Sequence, residues 1–295
     1  MKNRKTLLLV FPLCLSIISC GRVIGTDAEN NSNLQAEASS SDNTQNTAIS
    51  ALVAVEQALD DTESTPSVQA SCPSITACSA NIRTLSFNSC SIGGTKFNGA
   101  FSWQYDSSST CTIDSTTLPT SGSLLRTTDL FEMTTAEGFV TKYFSTNMSN
   151  YKNEIIGGGV TVSFGATSRT VNINGLHRQR YTPKSFKVFD HSLRSVVPFV
   201  VAGTKAAANR VVSNGSVNVF HNIARTNTTL QFNNVRWDDA GCCHPKLGTI
   251  TATAENSNDT FELNFSEGGT CGIAKLKTTI NNQVTTTLVS LGNCI

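Results

Sequence analysis

Four histidines (His177, His191, His221 and His244) and ten cysteines are the residues best equipped for chemistry in this chain. Asp190-His191-Ser192 sets the three residue types of a serine hydrolase side by side. Consecutive residues of a strand point to opposite faces, so this triplet cannot close into a triad. A catalytic His191 or His221 would have to draw its carboxylate from elsewhere in the fold. The sequence has no Gly-x-Ser-x-Gly elbow, His-Glu-x-x-His pair or Gly-rich phosphate loop. Gly157-Gly158-Gly159 precedes a strand pattern and not a helix, so it reads as a turn. Asp238-Asp239 beside Trp237 could ligate Ca²⁺ or serve a glycosidase, but two solvated loop carboxylates are the simpler reading.

The N-terminus reads as an address. Lys2, Arg4 and Lys5 form a positive start, and Leu7 to Ile18 an apolar stretch too short to span a bilayer, the pattern of a signal peptide over residues 1–19. The segment ends Ile17-Ile18-Ser19-Cys20-Gly21, which resembles the lipobox of bacterial lipoproteins: two aliphatic residues, a small one, then cysteine. That resemblance implies cleavage before Cys20, diacylglycerol on its thiol and acylation of the new amino terminus. Each buried CH₂ contributes about 0.8 kcal/mol, so several chains hold a soluble body on a membrane. Gly21 stands where an Asp would signal inner-membrane retention, so the resemblance implies the outer membrane without specifying a leaflet. Cleavage removes three of the 22 basic residues, leaving 19 against 21 acidic ones.

With Cys14 in the signal and Cys20 lipidated, eight cysteines remain: Cys72, Cys78, Cys90, Cys111, Cys242, Cys243, Cys271 and Cys294. An even number in an exported chain implies disulfides. Adjacent cysteines rarely bond one another, so Cys242 and Cys243 are expected to reach two different partners, Cys271 and Cys294. The rival reading of Cys242-Cys243-His244 is a metal site. The spacing is not Cys-x₂-Cys and no second histidine follows at ligand distance, so no metal is expected. Nothing in the chain calls for a cofactor.

The one uneven charge feature runs from 177 to 194, with Arg178, Arg180, Lys184, Lys187 and Arg194. It could meet an anionic envelope polymer, lipid headgroups or an acidic partner. The plainer alternative is a solvated β-face whose cations discourage edge pairing. Phe97, Phe101, Trp103 and Tyr105 share one side of a strand at period two. They could form a sugar platform, but aromatics are scarce and a core face is the better use of them.

The elements that must position these groups are strands. Lys96–Tyr105, Val160–Phe164, Thr170–Ile173, Thr249–Thr253, Phe261–Phe265 and Val284–Val289 show β patterning. Val211–Val219 carries Asn214-Gly215 between β-branched runs and predicts a hairpin. Thr134–Glu137 resembles a capping box, and Phe139, Val140, Tyr143 and Phe144 follow at helical spacing, predicting one helix. Thr84-Leu-Ser-Phe-Asn88 and Thr229-Leu-Gln-Phe-Asn233 echo one another. The expected architecture is mainly β: an antiparallel β-sandwich or barrel-like body braced by disulfides, with a short helix and a disordered N-terminal tether. The tether is residues 20–71, rich in Asn, Ser, Ala, Gln and Thr, with a short helix over 47–60. The body divides near 205 into halves 72–205 and 206–295, or forms one continuous domain.

Composition excludes some functions. A formal net charge of +1 is unlike a nucleic-acid binder, and no run after the N-terminus is long and apolar enough for a membrane helix. Ser, Thr and Asn make up a third of the chain, and charged residues only 15%. Such a surface suits hydrogen-bonded recognition of glycans or proteins.

The stretch Phe220-His-Asn-Ile223, Phe232-Asn-Asn-Val-Arg-Trp237, Cys242-Cys-His-Pro245, Gly248-Thr-Ile-Thr251 and Thr270-Cys-Gly-Ile-Ala274 resembles uncharacterised β-rich lipoproteins of predatory bacteria of the Bdellovibrio type. The resemblance covers roughly 215–295 and implies an envelope lipoprotein, without an activity or ligand. The functional expectation is a lipid-anchored, non-enzymatic binding or adhesion module of the outer membrane. The alternatives are an envelope hydrolase and a structural coat protein.

Overall fold

The computed structural model describes residues 73–92, 94–106, 120–203, 210–237, 242, 244–255 and 258–291. The signal and Cys20, the tether with its helix over 47–60, Cys72, Cys111, Cys243, Cys294, Asp238-Asp239 and the boundary segment 204–209 lie outside the described residues.

Every regular element among the described residues is a strand: β1 (Ser74–Ile75), β2 (Ile82–Ile92), β3 (Thr95–Tyr105), β4 (Ser123–Thr127), β5 (Phe131–Thr134), β6 (Val140–Phe144), β7 (Met148–Ser149), β8 (Ile155–Ile156), β9 (Gly159–Phe164), β10 (Ser168–Tyr181), β11 (Lys187–Ala202), β12 (Val211–His221), β13 (Thr226–Arg236), β14 (Leu247–Ala254), β15 (Thr260–Asn264), β16 (Ile273–Ile280) and β17 (Gln283–Ser290). Fifteen form one antiparallel sheet, and β7 with β8 make a separate hairpin. From β9 to β17 each strand pairs with the next. β11 and β12, on either side of residues 204–209, pair with each other from His191↔His221 to Ala202↔Val211.

The first third is woven differently. β3 pairs with β4 through its C-terminal half and with β5 through its N-terminal half, so β4 and β5 share one column. β10 likewise pairs with β9 and then β6, so those two share the next column. The breaks in the two columns face each other and satisfy one another. Thr128 N donates to Ser145 Oγ at 2.7 Å, and Ser145 N donates to Thr128 O at 2.8 Å. Gly158 N donates to Ser145 O at 2.8 Å, closing the base of an excursion that carries the β7–β8 hairpin out of the column.

One face of the sheet is largely apolar. Trp103 and Leu124 from early strands, Phe199, Leu230 and Phe232 from central ones, and Leu276 and Val289 from late ones belong to a single buried cluster. A flat sheet would leave that face wet, so burial of residues from both ends of the ladder means that it curls around one core. Each large side chain so buried contributes about 1.5–3 kcal/mol. Phe97, Phe131, Met133 and Cys90 form a smaller cluster at one end. The aromatic row at 97–105 therefore packs inward: Trp103 and Tyr105 are buried in the main core and Phe97 in the smaller one, with Phe101 partly buried against it. The fold is the disulfide-braced antiparallel β body expected. Cys242 bonds Cys271, as anticipated for one of the adjacent pair, and Cys78 and Cys90 are each disulfide-bonded.

Two expectations are corrected. The helix beginning at Thr134 is a β-hairpin, β5 to β6. Thr135 N donates to Phe139 O, Gly138 N donates to Thr135 O, and the Thr135 hydroxyl accepts from Phe139 N. The threonine thus closes a turn where a helix cap was expected, and pairing of β6 with β10 overrides the helical spacing. The Asn214-Gly215 hairpin is also absent: β12 runs straight through it. Gly215 is there for space, since a Cβ at that position would stand 2.2 Å from the Phe199 ring.

Candidate functional site

The register of β12 to β17 places a grid of hydroxyls and amides on the face opposite the core. One row reads Asn214, Asn233, Thr249 and Asn264. The next reads Ser216, Gln231, Thr251, Glu262, Lys277 and Thr286. The third reads Asn218, Thr229, Thr253, Thr260, Thr279 and Val284. The alternation of apolar and polar residues in each strand produces this automatically. Within the grid Thr229 Oγ1 donates to Asn218 Oδ1 at 2.8 Å. The first row continues to Lys275 and Leu288, so the three rows hold one carboxylate, Glu262, facing Lys277 on the adjacent strand, and a second ammonium, Lys275, which is paired with Glu267. Such a surface presents donors and acceptors with little net field.

Beside the grid, on the same face, lies a buried polar cluster under the excursion. His177 on β10 stands opposite Ser192 on β11. His177 Nε2 lies 2.7 Å from Ile156 O and must donate to it, because a carbonyl only accepts. Nδ1 is then the acceptor, and the Ser192 hydroxyl, 2.9 Å away, donates to it. Asn222 Nδ2 donates to Ser192 Oγ and to Asp190 Oδ1, each at 3.0 Å. Gln179 and Lys187 satisfy the other oxygen of Asp190. Burial lowers the His177 pKa, with the Ile156 carbonyl and Asp190 opposing it. Ser192 is 0% and His177 1% exposed, so this serine–histidine pair has no path to a substrate as folded. The excursion is fastened over it by Tyr151 N donating to Asn222 Oδ1 at 3.0 Å, by Arg194–Glu154 at 3.3 Å and by Lys152–Glu255.

On the inner face of the same strands a second cluster closes the end of the core. His191 and His221 are cross-strand partners with ring centroids 4.3 Å apart, edge to face. Phe189 stacks on His191 at 4.6 Å, and the Arg178 guanidinium lies 4.9 Å from the Phe189 ring and 5.8 Å from that of Tyr143. His221 Nε2 is buried with no hydrogen-bond partner among the described residues. Burial pushes the His221 pKa down to about 4. Burial, then the neighbouring His221 and Arg178 charges, hold His191 well below the usual histidine range. Both rings are neutral at physiological pH.

The basic stretch does not gather on one face. Arg178 and Arg180 point inward, the latter with its guanidinium 5.1 Å from the Phe139 ring. Arg194 projects from the outer face to Glu154, Lys187 pairs with Asp190 at 2.7 Å, and Lys184 is exposed in the β10–β11 turn. Asp190, His191 and Ser192 are split as strand alternation requires, with His191 inward. Sequence reasoning missed that Ser192 would meet His177. Counting back from the turn at Thr182–Ser185 points to that pairing, but a register irregularity between Arg180 and Tyr181 spoils the count. His244 is buried beside Cys242, and no group of three or more His, Cys, Asp or Glu side chains poised for a metal occurs among the described residues.

The fold and its polar face define an all-β, disulfide-stapled body built from one curled antiparallel sheet. Comparison with family models, curated proteins and solved structures finds no match for this chain.

Proposed function

We propose that this chain is a lipid-anchored envelope protein of the outer membrane, fixed through Cys20, whose β body is a non-enzymatic binding or adhesion module for glycans or proteins. The observation that carries the reading is the outer grid of Asn, Ser, Thr and Gln across β12 to β15, a hydrogen-bonding face whose few charges, Glu262, Lys275 and Lys277, gather at its β15–β16 side. Disulfide-bonded Cys78, Cys90, Cys242 and Cys271 suit an oxidising compartment. The burial of all four histidines favours binding over acid–base chemistry.

The test is binding of the full chain to a panel of envelope glycans and surface proteins, repeated with Gln231→Glu/Thr251→Glu. Expected is weak, saturable binding to at least one member that the double variant loses. Absence of binding across the panel, or binding indifferent to the variant, overturns it. The anchor is tested separately: Cys20→Ala is expected to move the protein from the detergent-extractable membrane to the soluble fraction.

The 2.9 Å contact of Ser192 Oγ with His177 Nδ1 favours a hydrolase as the second reading, with the excursion lifted from the pair. A fluorophosphonate probe decides it: labelling that Ser192→Ala abolishes establishes the hydrolase, and an unlabelled protein removes it.

A further inference from the structure

Strand β17 ends the ladder, and no other described strand pairs with its outer side. Its register with β16 is unbroken from Ile273↔Ser290 to Ile280↔Gln283, so the edge is regular along its eight residues. Gln283–Ser290 contains no charged residue, proline or glycine, and all of it except Val289 is exposed. Monomeric proteins blunt their edges with bulges, lysine, proline or brevity. At the other end of this sheet the outermost strand is only two residues long, Ser74–Ile75. The guarded edge and the open one belong to the same sheet.

We propose that β17 is the seam of a homodimer, in which two copies pair edge to edge, antiparallel, about a two-fold axis through Thr286. The strand matches itself under that operation. Val284 meets Leu288 of the second copy, Thr285 meets Thr287, Thr286 meets Thr286, and Leu288 meets Val284. Val284 and Leu288 are 57% and 64% exposed and lie on the same face of the strand, so the seam covers two of the largest exposed apolar groups in the body twice over. Sliding the pairing by two residues in either direction sets Val284 or Leu288 against threonine. Sliding by one sets the apolar face of one copy against the core side of the other. Charge permits the contact. β17 carries none, and the flanking cations of β16 are matched within their own chain: Lys275 is paired with Glu267, and Lys277 stands opposite Glu262. The two outer grids would then continue across the seam as a single face, presenting every binding position twice.

The experiment is sedimentation of the full Cys20→Ala chain over a concentration series, beside Val284→Lys/Leu288→Lys and Thr286→Cys. The parent is expected to dimerise, with the lysine pair weakening dimerisation by about tenfold or more while its circular dichroism is unchanged. Under mild oxidation Thr286→Cys is expected to form a covalent dimer through residue 286, located by mass mapping. A monomeric parent, dimerisation indifferent to the lysines, or no 286–286 crosslink overturns the seam. Because none of these readouts involves a glycan or protein ligand, the seam can fail while the binding reading stands, and the reverse.

Discussion

The two faces of β10, β11 and β12 treat histidine in opposite ways. On the outer face His177 is fully satisfied: one nitrogen donates to Ile156 O, the other accepts from Ser192, and the excursion lies on top. On the inner face His191 and His221 pack as aromatic discs against Phe189 and each other, and one of their nitrogens is left without a partner. The outer histidine works as a hydrogen-bonding clip that locates a piece of chain. The inner pair works as packing that tolerates imidazole only while it is uncharged. The lesson is that burial alone does not define a histidine's role; the partner of each ring nitrogen does.

Acid should separate the faces most strongly. Below its unfolded pKa near 6.5, the unfolded chain protonates a histidine that the folded chain keeps neutral, so stability falls as pH drops from about 6.5 toward the folded value of about 4 for His221. The expected loss from His221 alone is about 3 kcal/mol by pH 4, with His191 adding to it. Denaturant unfolding across that range measures it, and His221→Phe should flatten the curve. A curve unchanged by the substitution would place the acid sensitivity elsewhere.

The outer clip is broken next. A Cβ on Gly175 would stand 2.1 Å from Gly157 N, at the foot of the excursion. Gly175→Ala should cost about 2–3 kcal/mol and accelerate hydrogen exchange across 145–158 while leaving the inner pair protected. His177→Ala should cost about 2 kcal/mol by orphaning Ile156 O and leaving the Ser192 hydroxyl proton without its acceptor, read from the same unfolding curves. At the small end, Lys152→Met removes a half-exposed ion pair with Glu255, one of the three ties on the excursion, and should shift the unfolding midpoint the least of these variants.

Much of the fold was legible because alternation is a strong signal. The runs at 96–105, 160–164, 170–173, 249–253 and 261–265 lie almost wholly in β3, β9, β10, β14 and β15, and 284–289 lies in β17. The inward aromatic row followed from the same period of two. Cross-strand position was not legible, because bulges shift it: β10 changes register between Val171 and Leu176, so its inward residues switch from Val171 and Ile173 to Leu176 and Arg178. That is why the basic residues at 178–194 could not be assigned to one face by counting. Thr135 and Gly138 were misread for a different reason, since a side chain that caps a helix closes a hairpin just as well. The polar grid was anticipated as a Ser/Thr/Asn-rich surface, but its rows exist only once the register is known.

The meander from β9 to β17 has a kinetic consequence. Each strand there finds its partner across a single connection, so each pairing closes a short loop at small entropic cost and can template the next. The first third is different: β4 must reach β9 and β6 must reach β10 across the excursion, and a sheet column cannot be completed until that segment has been set aside. Assembly of the C-terminal strands should therefore run ahead, with closure of the interrupted columns as the late step. On that route, the open end of the ladder at β17 is available for pairing before the rest of the chain has finished folding.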